Sequence, residues 1–370
     1  MSASSLPTGQ PDPWAGAPLV TAELPGAGGS IRATPEDFEV EESPAYQPCG
    51  EGSHLFLWVE KRGRNTREVA SEIARALKVA ERDVGIAGQK DRQALTRQFM
   101  SVPNAPGRQA SGLAGEGWRV LSAKAHGNKL KTGHLLGNRF RIRVRGATAG
   151  AAERARATGQ ALAERGLPNL FGPQRFGRGG SNVPLGRALV LGGEDPQLAR
   201  ARRDRFLRRI AVSAYQSWLF NRVLAERVRD GLFASAVPGD LMKKLTTGGL
   251  FTCESAQADG PRVAAFEISP TGPMFGHRMM SPQFDALARE ERVLAEEGLT
   301  LDRFAPLGPD AEGTRRPMRL PLSLAVSDAD DAAGTFVLEF SLPKGSFATA
   351  VLREVLKSEV PEELPEEKGD

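Results

Sequence analysis

Asn138-Arg139-Phe140-Arg141-Ile142-Arg143-Val144-Arg145 alternates apolar and cationic side chains without a break. A period of two puts Phe140, Ile142 and Val144 on one face of a β-strand and four arginines on the other. One face of a sheet must therefore cover a core, and the other must meet either acids on a neighbouring strand or anions from outside. Four arginines with no acid between them favour the second, an approach of phosphates.

The same period recurs on either side. Phe38 and Val40 alternate with Asp37, Glu39 and Glu41, Leu55, Leu57 and Val59 share one face, and Phe336, Leu338 and Phe340 repeat the pattern near the end. The last fifty residues are expected to complete the sheet begun by the first strands, which makes the middle of the chain an insertion. Helical spacing runs through Val69, Ile73 and Leu77 after Thr66, through 151–165, 206–228 and 285–297, and from Phe347 to about Lys357. Residues 1–30 are rich in Pro, Gly, Ala and Ser and are expected to form a disordered leader outside the core.

Composition sets outer bounds. At 370 residues the chain exceeds one ordinary core, and 40% hydrophobic with 25% charged residues is globular usage. The net charge is only +4, but residues 119–145 hold eight Lys/Arg and no acid, and residues 170–210 nine against three. Segments 281–314 and 351–370 are acidic. Basic blocks attract polyanions, nucleic acid first, unless neighbouring acids in the fold balance them. Two cysteines two hundred residues apart form neither a disulfide framework nor a metal-ligand spacing, and the four histidines show no paired spacing. No run reaches membrane-spanning length and no charged leader marks a secretory signal, so a cytoplasmic protein without metal or cofactor is expected.

Between a helix and a strand lies Gly85-Ile86-Ala87-Gly88-Gln89-Lys90-Asp91-Arg92-Gln93-Ala94-Leu95-Thr96-Arg97-Gln98. Its single carboxylate, Asp91, sits between two cations that favour the anionic form a nucleophile or general base needs. A second glycine-rich stretch, Phe171-Gly172-Pro173-Gln174-Arg175-Phe176-Gly177-Arg178, offers cations on a backbone able to approach a ligand closely.

Five segments taken together resemble the TruD family of tRNA pseudouridine synthases: Gly88-Gln89-Lys90-Asp91 with Ala94, Thr96 and Gln98; Glu36-Asp37-Phe38-Glu39-Val40-Glu41-Glu42; Gly137-Asn138-Arg139-Phe140-Arg141-Ile142; Phe171–Gly177 with Asn182; and Pro343-Lys344-Gly345-Ser346-Phe347-Ala348-Thr349 with Leu352-Arg353-Glu354. The resemblance spans about residues 30 to 357.

It implies an α+β pseudouridine-synthase fold with a mixed, mostly antiparallel sheet, interrupted by an α/β insertion domain in a V-shaped molecule. The implied boundaries are a leader over 1–30, a catalytic domain over 31–166 and 315–360, an insertion over 167–314 and an acidic tail over 361–370. The implied reaction turns a uridine of tRNA, typically position 13 in the D arm, into pseudouridine, with no cofactor and the chain acting as a monomer. Asp91 is the implied catalytic residue. Asn138 and Phe140 would lie in the pocket and Phe347 would stack on the flipped base, while Lys61, Lys90, Arg175 and Arg178 would hold phosphate or the base edge. Leu170 stands where relatives often carry tyrosine. Two rival readings need less: an RNA binder without activity, and a Mg²⁺-dependent hydrolase, for which residues 86–102 supply only one acid.

Overall fold

The structure, a computed structural model, describes residues 12–358. In chain order the elements are β1 (Phe38–Pro44), β2 (His54–Arg62), α1 (Thr66–Ala76), β3 (Gly85–Ile86), β4 (Leu95–Pro103), β5 (Ala114–Gly115), β6 (Trp118–His126), β7 (Leu135–Val144), α2 (Ala151–Arg165), β8 (Leu167–Pro168), α3 (Asn182–Leu191), α4 (Leu198–Arg203), α5 (Arg205–Arg229), β9 (Leu241–Lys244), β10 (Leu250–Thr252), α6 (Ala256–Ala264), β11 (Ile268–Met274), α7 (Phe284–Glu296), β12 (Thr314–Pro317), β13 (Arg319–Leu320), β14 (Leu324–Asp330), β15 (Thr335–Pro343) and α8 (Ala348–Leu356). The chain divides into two compact units. A sheet unit holds Pro25–Gly159, Ser323–Ala348 and the described residues from Val355; a helical unit holds the described residues before Pro25, Gln160–Leu322 and Thr349–Glu354.

The sheet unit is built on a nine-stranded sheet ordered β14-β15-β7-β1-β4-β2-β6-β5, with β3 beside β4. Only β1 and β4 run parallel; every other pair is antiparallel. The late strand β15 does pair with β7, Phe340 opposite Phe140 and Leu338 opposite Ile142. On one face Leu55, Leu57, Val59, Met100 and Val102 pack on Val69 and Ile73 of α1. That helix begins after Asn65, whose capping box with Glu68 satisfies the first free amides.

The other face carries charges whose sign changes from strand to strand. Arg119 of β6 meets Glu60 of β2 at 2.8 Å, Glu60 meets Arg97 of β4 at 2.8 Å, and Arg97 meets Glu39 of β1 at 3.4 Å. Glu39 then meets Arg141 of β7 at 3.3 Å, and Arg141 and Arg139 meet Glu339 of β15 at 3.6 and 3.2 Å. Asp328 takes Arg141 at 2.7 Å and Arg143 at 3.8 Å, while Asp37 takes Arg145 at 2.7 Å. This corrects the phosphate reading of the four arginines. Their anions come from within the fold: Glu39 and Glu339 on the adjoining strands, Asp328 on β14 and Asp37 just before β1.

In the helical unit, α5 is the central element. Asp204 caps it through the amides of Phe206 and Leu207, and Tyr215, Leu219, Phe220 and Leu224 are fully buried along it. A four-stranded sheet ordered β10-β9-β11-β12 and the short β8–β13 pair complete the unit. Two buried ion pairs stiffen it, Arg227–Asp240 at 2.7 Å and Arg315–Glu290 at 2.6 Å.

Of the stretch expected to be a leader, residues 12–24 are part of this unit and residues 25–30 of the sheet unit. Thr21 is fully buried, its hydroxyl donating to Glu354 Oε2 at 2.6 Å, and the Val20 amide donates to Glu354 Oε1 at 3.0 Å. The segment has no hydrophobic period, yet polar side chains hold its backbone: Glu354 takes two of its amides, and Trp218, Asn221, Arg229, Arg353 and Arg165 donate to its carbonyls. The remaining leader residues and the acidic tail lie outside the described residues.

Candidate active site

Asp91 stands in the loop between β3 and β4, and five side chains fix that loop. Gln98 Nε2 donates to the Gly88 carbonyl at 2.9 Å, and its Oε1 accepts from Thr66 Oγ1 at 3.1 Å. The Lys90 amide donates to Thr66 Oγ1 at 3.0 Å. Lys61 Nζ donates to the carbonyls of Asp91 and Arg64, both at 2.8 Å, and Lys90 Nζ reaches Glu42 Oε2 at 2.7 Å. Gln98, Thr66, Lys61, Lys90 and Glu42 are all buried. Such a loop cannot sag when a substrate presses on it.

The carboxylate itself is held from two sides. Arg32 Nη2 donates to Oδ2 at 2.6 Å and the Gln93 amide to Oδ1 at 3.0 Å, while about a third of the side chain stays open to solvent. Arg32 adopts a left-handed backbone with φ 64°, and its guanidinium lies 4.3 Å from the Phe38 ring centroid. Phe38 meets Phe140 edge-on at 6.2 Å, and Phe140 stacks on Phe340 at 5.2 Å. A cation and three rings thus form one layer behind Asp91.

Burial explains the two shifts in this cluster. Lys61 is fully buried with no carboxylate of a described residue on its amine, and desolvation pulls it down to about 8, against the raising effect of Asp91. Glu42 is pushed above the usual carboxylate range by burial, against the pull of Lys90. The 2.7 Å contact is that of a charge-assisted pair all the same.

These placements sort the expected site residues. Lys61 and Lys90 place their amines on buried protein partners and support the loop, Lys61 at the carbonyls of Arg64 and Asp91 and Lys90 at Glu42. Phe140 is part of the buried aromatic layer, stacked on Phe340 and edge-on to Phe38. Asn138 shares its face of β7, and its Oδ1 is buried with no partner among the described residues, an acceptor left for something else to satisfy. Phe347 is half-buried immediately before α8. Arg175 and Arg178 belong to the helical unit, Arg175 half-buried and Arg178 exposed without an ion pair among the described residues. The glycines of that second loop serve the protein's own packing: a Cβ on Gly172 would lie 2.1 Å from Thr349 Oγ1, and Gly177, at φ 78°, closes on Asn182.

Arg32 went unread in the sequence. It is the chain's first cation, after thirty-one residues without Lys or Arg, and stands four positions before Glu36-Asp37-Phe38, a spacing that could have singled it out. Among the described residues no group of three His, Cys, Asp or Glu could hold a metal ion, and no helix is long and apolar enough to cross a membrane.

Comparison with known proteins agrees with this architecture. The family described as tRNA pseudouridine synthase D (TruD) matches residues 15–194 and 187–355. A tRNA pseudouridine synthase D from Anaeromyxobacter sp. is 57% identical over 354 residues, covering 96% of this chain and 99% of that protein. The one from Thermus thermophilus is 45% identical over 351 residues, covering 95% of both. The crystal structure from Methanosarcina mazei that bears the tRNA pseudouridine synthase D name superposes with a TM-score of 0.75 at 26% identity, covering 93% of this chain and 97% of that one. The chain belongs to the TruD family of pseudouridine synthases, isomerases that act on tRNA.

Proposed function

We propose that this chain isomerises a uridine of tRNA to pseudouridine, position 13 of the D arm being the expected target, and that Asp91 is the residue that acts on the flipped nucleotide. The isomerisation breaks the bond from uracil N1 to the sugar, turns the base and joins C5 to the same sugar carbon. It needs a carboxylate close to the ribose, and neither oxidant nor energy input. The observation that carries the reading is the Asp91 carboxylate, oriented by Arg32 and Gln93 and about a third open to solvent, on a loop tied down by the buried side chains of Gln98, Thr66, Lys61 and Lys90. Attack on the sugar or base and removal of the sugar C2′ proton both call for this group.

The base must leave its stack, which costs a few kcal/mol that the pocket offsets. Phe347 is the stacking surface in this reading and Asn138 the polar partner, its unsatisfied Oδ1 supporting that role. The sheet unit is then the catalytic domain and the helical unit the insertion domain, with Arg175 and Arg178 holding phosphate. The same reading has the chain acting as a monomer, in the cytoplasm where tRNA is found.

The test is incubation of wild type and Asp91→Asn with unmodified tRNA transcripts in EDTA, followed by nucleotide-resolution mapping of pseudouridine. Wild type converts one uridine, and Asp91→Asn loses about a thousandfold or more in rate while still binding tRNA. Equal conversion by both proteins would overturn the assignment of Asp91.

A further inference from the structure

Two arginines of the helical unit lie over one aromatic ring with no anion between them. The guanidinium carbon of Arg316, on β12, is 4.0 Å from the centroid of Phe171, and that of Arg175 is 5.6 Å from it. Asn221 of α5 pins Phe171 at both its amide and its carbonyl, each at 2.9 Å, so the ring is a fixed platform. Arg175 donates through Nε to Ser217 Oγ at 3.1 Å and through Nη2 to Ser213 Oγ. Arg316 donates through Nε to the Asn169 carbonyl at 3.2 Å and through Nη2 to that carbonyl and to Asn169 Oδ1. Every one of these partners is neutral.

Two other buried arginines of the same unit are neutralised, Arg227 gripping Asp240 with two nitrogens at 2.7 Å and Arg315 gripping Glu290 at 2.9 and 2.6 Å, while a third, Arg319, is capped by three backbone carbonyls over the Phe266 ring. Arg175 and Arg316 make no ion pair with any described residue. Burial lowers both from the ordinary arginine value, Arg316 to about 9, and the neighbouring charge of Arg175 adds to that effect. Two like charges held together in a partly dry place are costly unless an anion joins them. Their Nη1 groups donate to no described protein atom, which leaves the prongs that would receive one.

We infer that Arg175 and Arg316 together clamp a single phosphodiester of the bound RNA backbone, with the Phe171 ring as the floor of the clamp. The inference rests on the tRNA reading above. It adds Arg316, which no motif singled out, and makes the two arginines one site. The serines on successive turns of α5 and the Asn169 side chain position the forks without competing for the anion.

The test measures tRNA affinity across a salt series for wild type, Arg175→Gln, Arg316→Gln and the double variant. Each single variant is expected to weaken binding about tenfold and to reduce the slope of log Kd against log salt by about 0.7 to 0.9, the share of one phosphate. The double variant should lose no more slope than either single. Slopes and affinities equal to wild type, or a double loss equal to two phosphates, would overturn the shared clamp. Should Arg316→Gln not fold, phenylglyoxal labelling of wild type read by mass spectrometry decides: both arginines protected by tRNA is the expected result, and labelling unaffected by tRNA refutes it. Wild-type pseudouridine formation on the same transcripts is scored alongside. Its absence would count against the enzyme reading, whatever the slopes show.

Discussion

Arg32 Nη2 lies 2.6 Å from Asp91 Oδ2, and the backbone of Arg32 is bent into a left-handed conformation to put it there. That conformation costs an L-residue roughly 1–2 kcal/mol, so the contact is bought with local strain. Phe38 beneath the guanidinium fixes the direction in which the fork points.

Replacing Arg32 separates the strain from the function. Arg32→Ala and Arg32→Gly should both lower turnover by about a hundredfold, because the carboxylate loses one of its two anchors. The glycine variant should melt at the higher temperature of the two, since it accepts the left-handed backbone freely. Single-turnover assays and thermal melts check this, and unchanged turnover in both would remove Arg32 from the site.

The pair of Lys90 with Glu42 is buried at both ends. Lys90→Met alone should cost about 3–5 kcal/mol in urea unfolding, because Glu42 is left without a partner, and adding Glu42→Leu should recover a large part of it. A double variant no better than the single would show that Glu42 does not depend on Lys90.

For Lys61 the sign of the pH effect follows from an amine held at about 8 against an ordinary 10.5. Between those values the unfolded chain still holds a proton that the folded chain has released. Stability from this group therefore rises as pH climbs through the window and is flat below it. The unfolding free energy of wild type relative to Lys61→Met should grow from pH 8 upward by at most about 1.4 kcal/mol per unit. A difference that falls over that range would contradict the direction of the shift.

Arg141 is expected to serve the sheet. Arg141→Gln removes contacts to Glu39, Asp328 and Glu339 at a half-exposed position, so a loss of about 1 kcal/mol or less in stability is expected. The tRNA affinity and its salt slope should match wild type. A slope reduced by about one would return this face to RNA binding.

Much of the sheet was legible because a period of two survives without any partner in view: Phe38 and Val40, Phe140 and Ile142, and Phe336 to Phe340 all fall on the buried face. The loop around Asp91 was legible as a motif, and its supports explain the motif, Gln98 holding Gly88 and Thr66 holding Lys90. The destinations of long cationic side chains were not legible. Arg141 finds Asp328 at a separation of 187 residues and Arg32 finds Asp91 at 59, so a local window sees only unpaired charge. For the same reason Lys90 read as a neighbour of Asp91, whereas its amine turns to Glu42.

The interleaving of the two units also sets a timetable for synthesis. The helical unit needs Glu354 to fasten residues 20 and 21, and the sheet unit needs β15 to cover the flank of β7. Neither can be finished while the last segments are still inside the ribosome, so the usual order in which an N-terminal domain folds first does not apply to this chain. A nascent chain stalled before residue 335 would expose the outer edge of β7, with Phe140 and Ile142 uncovered, and would be a natural client for chaperones.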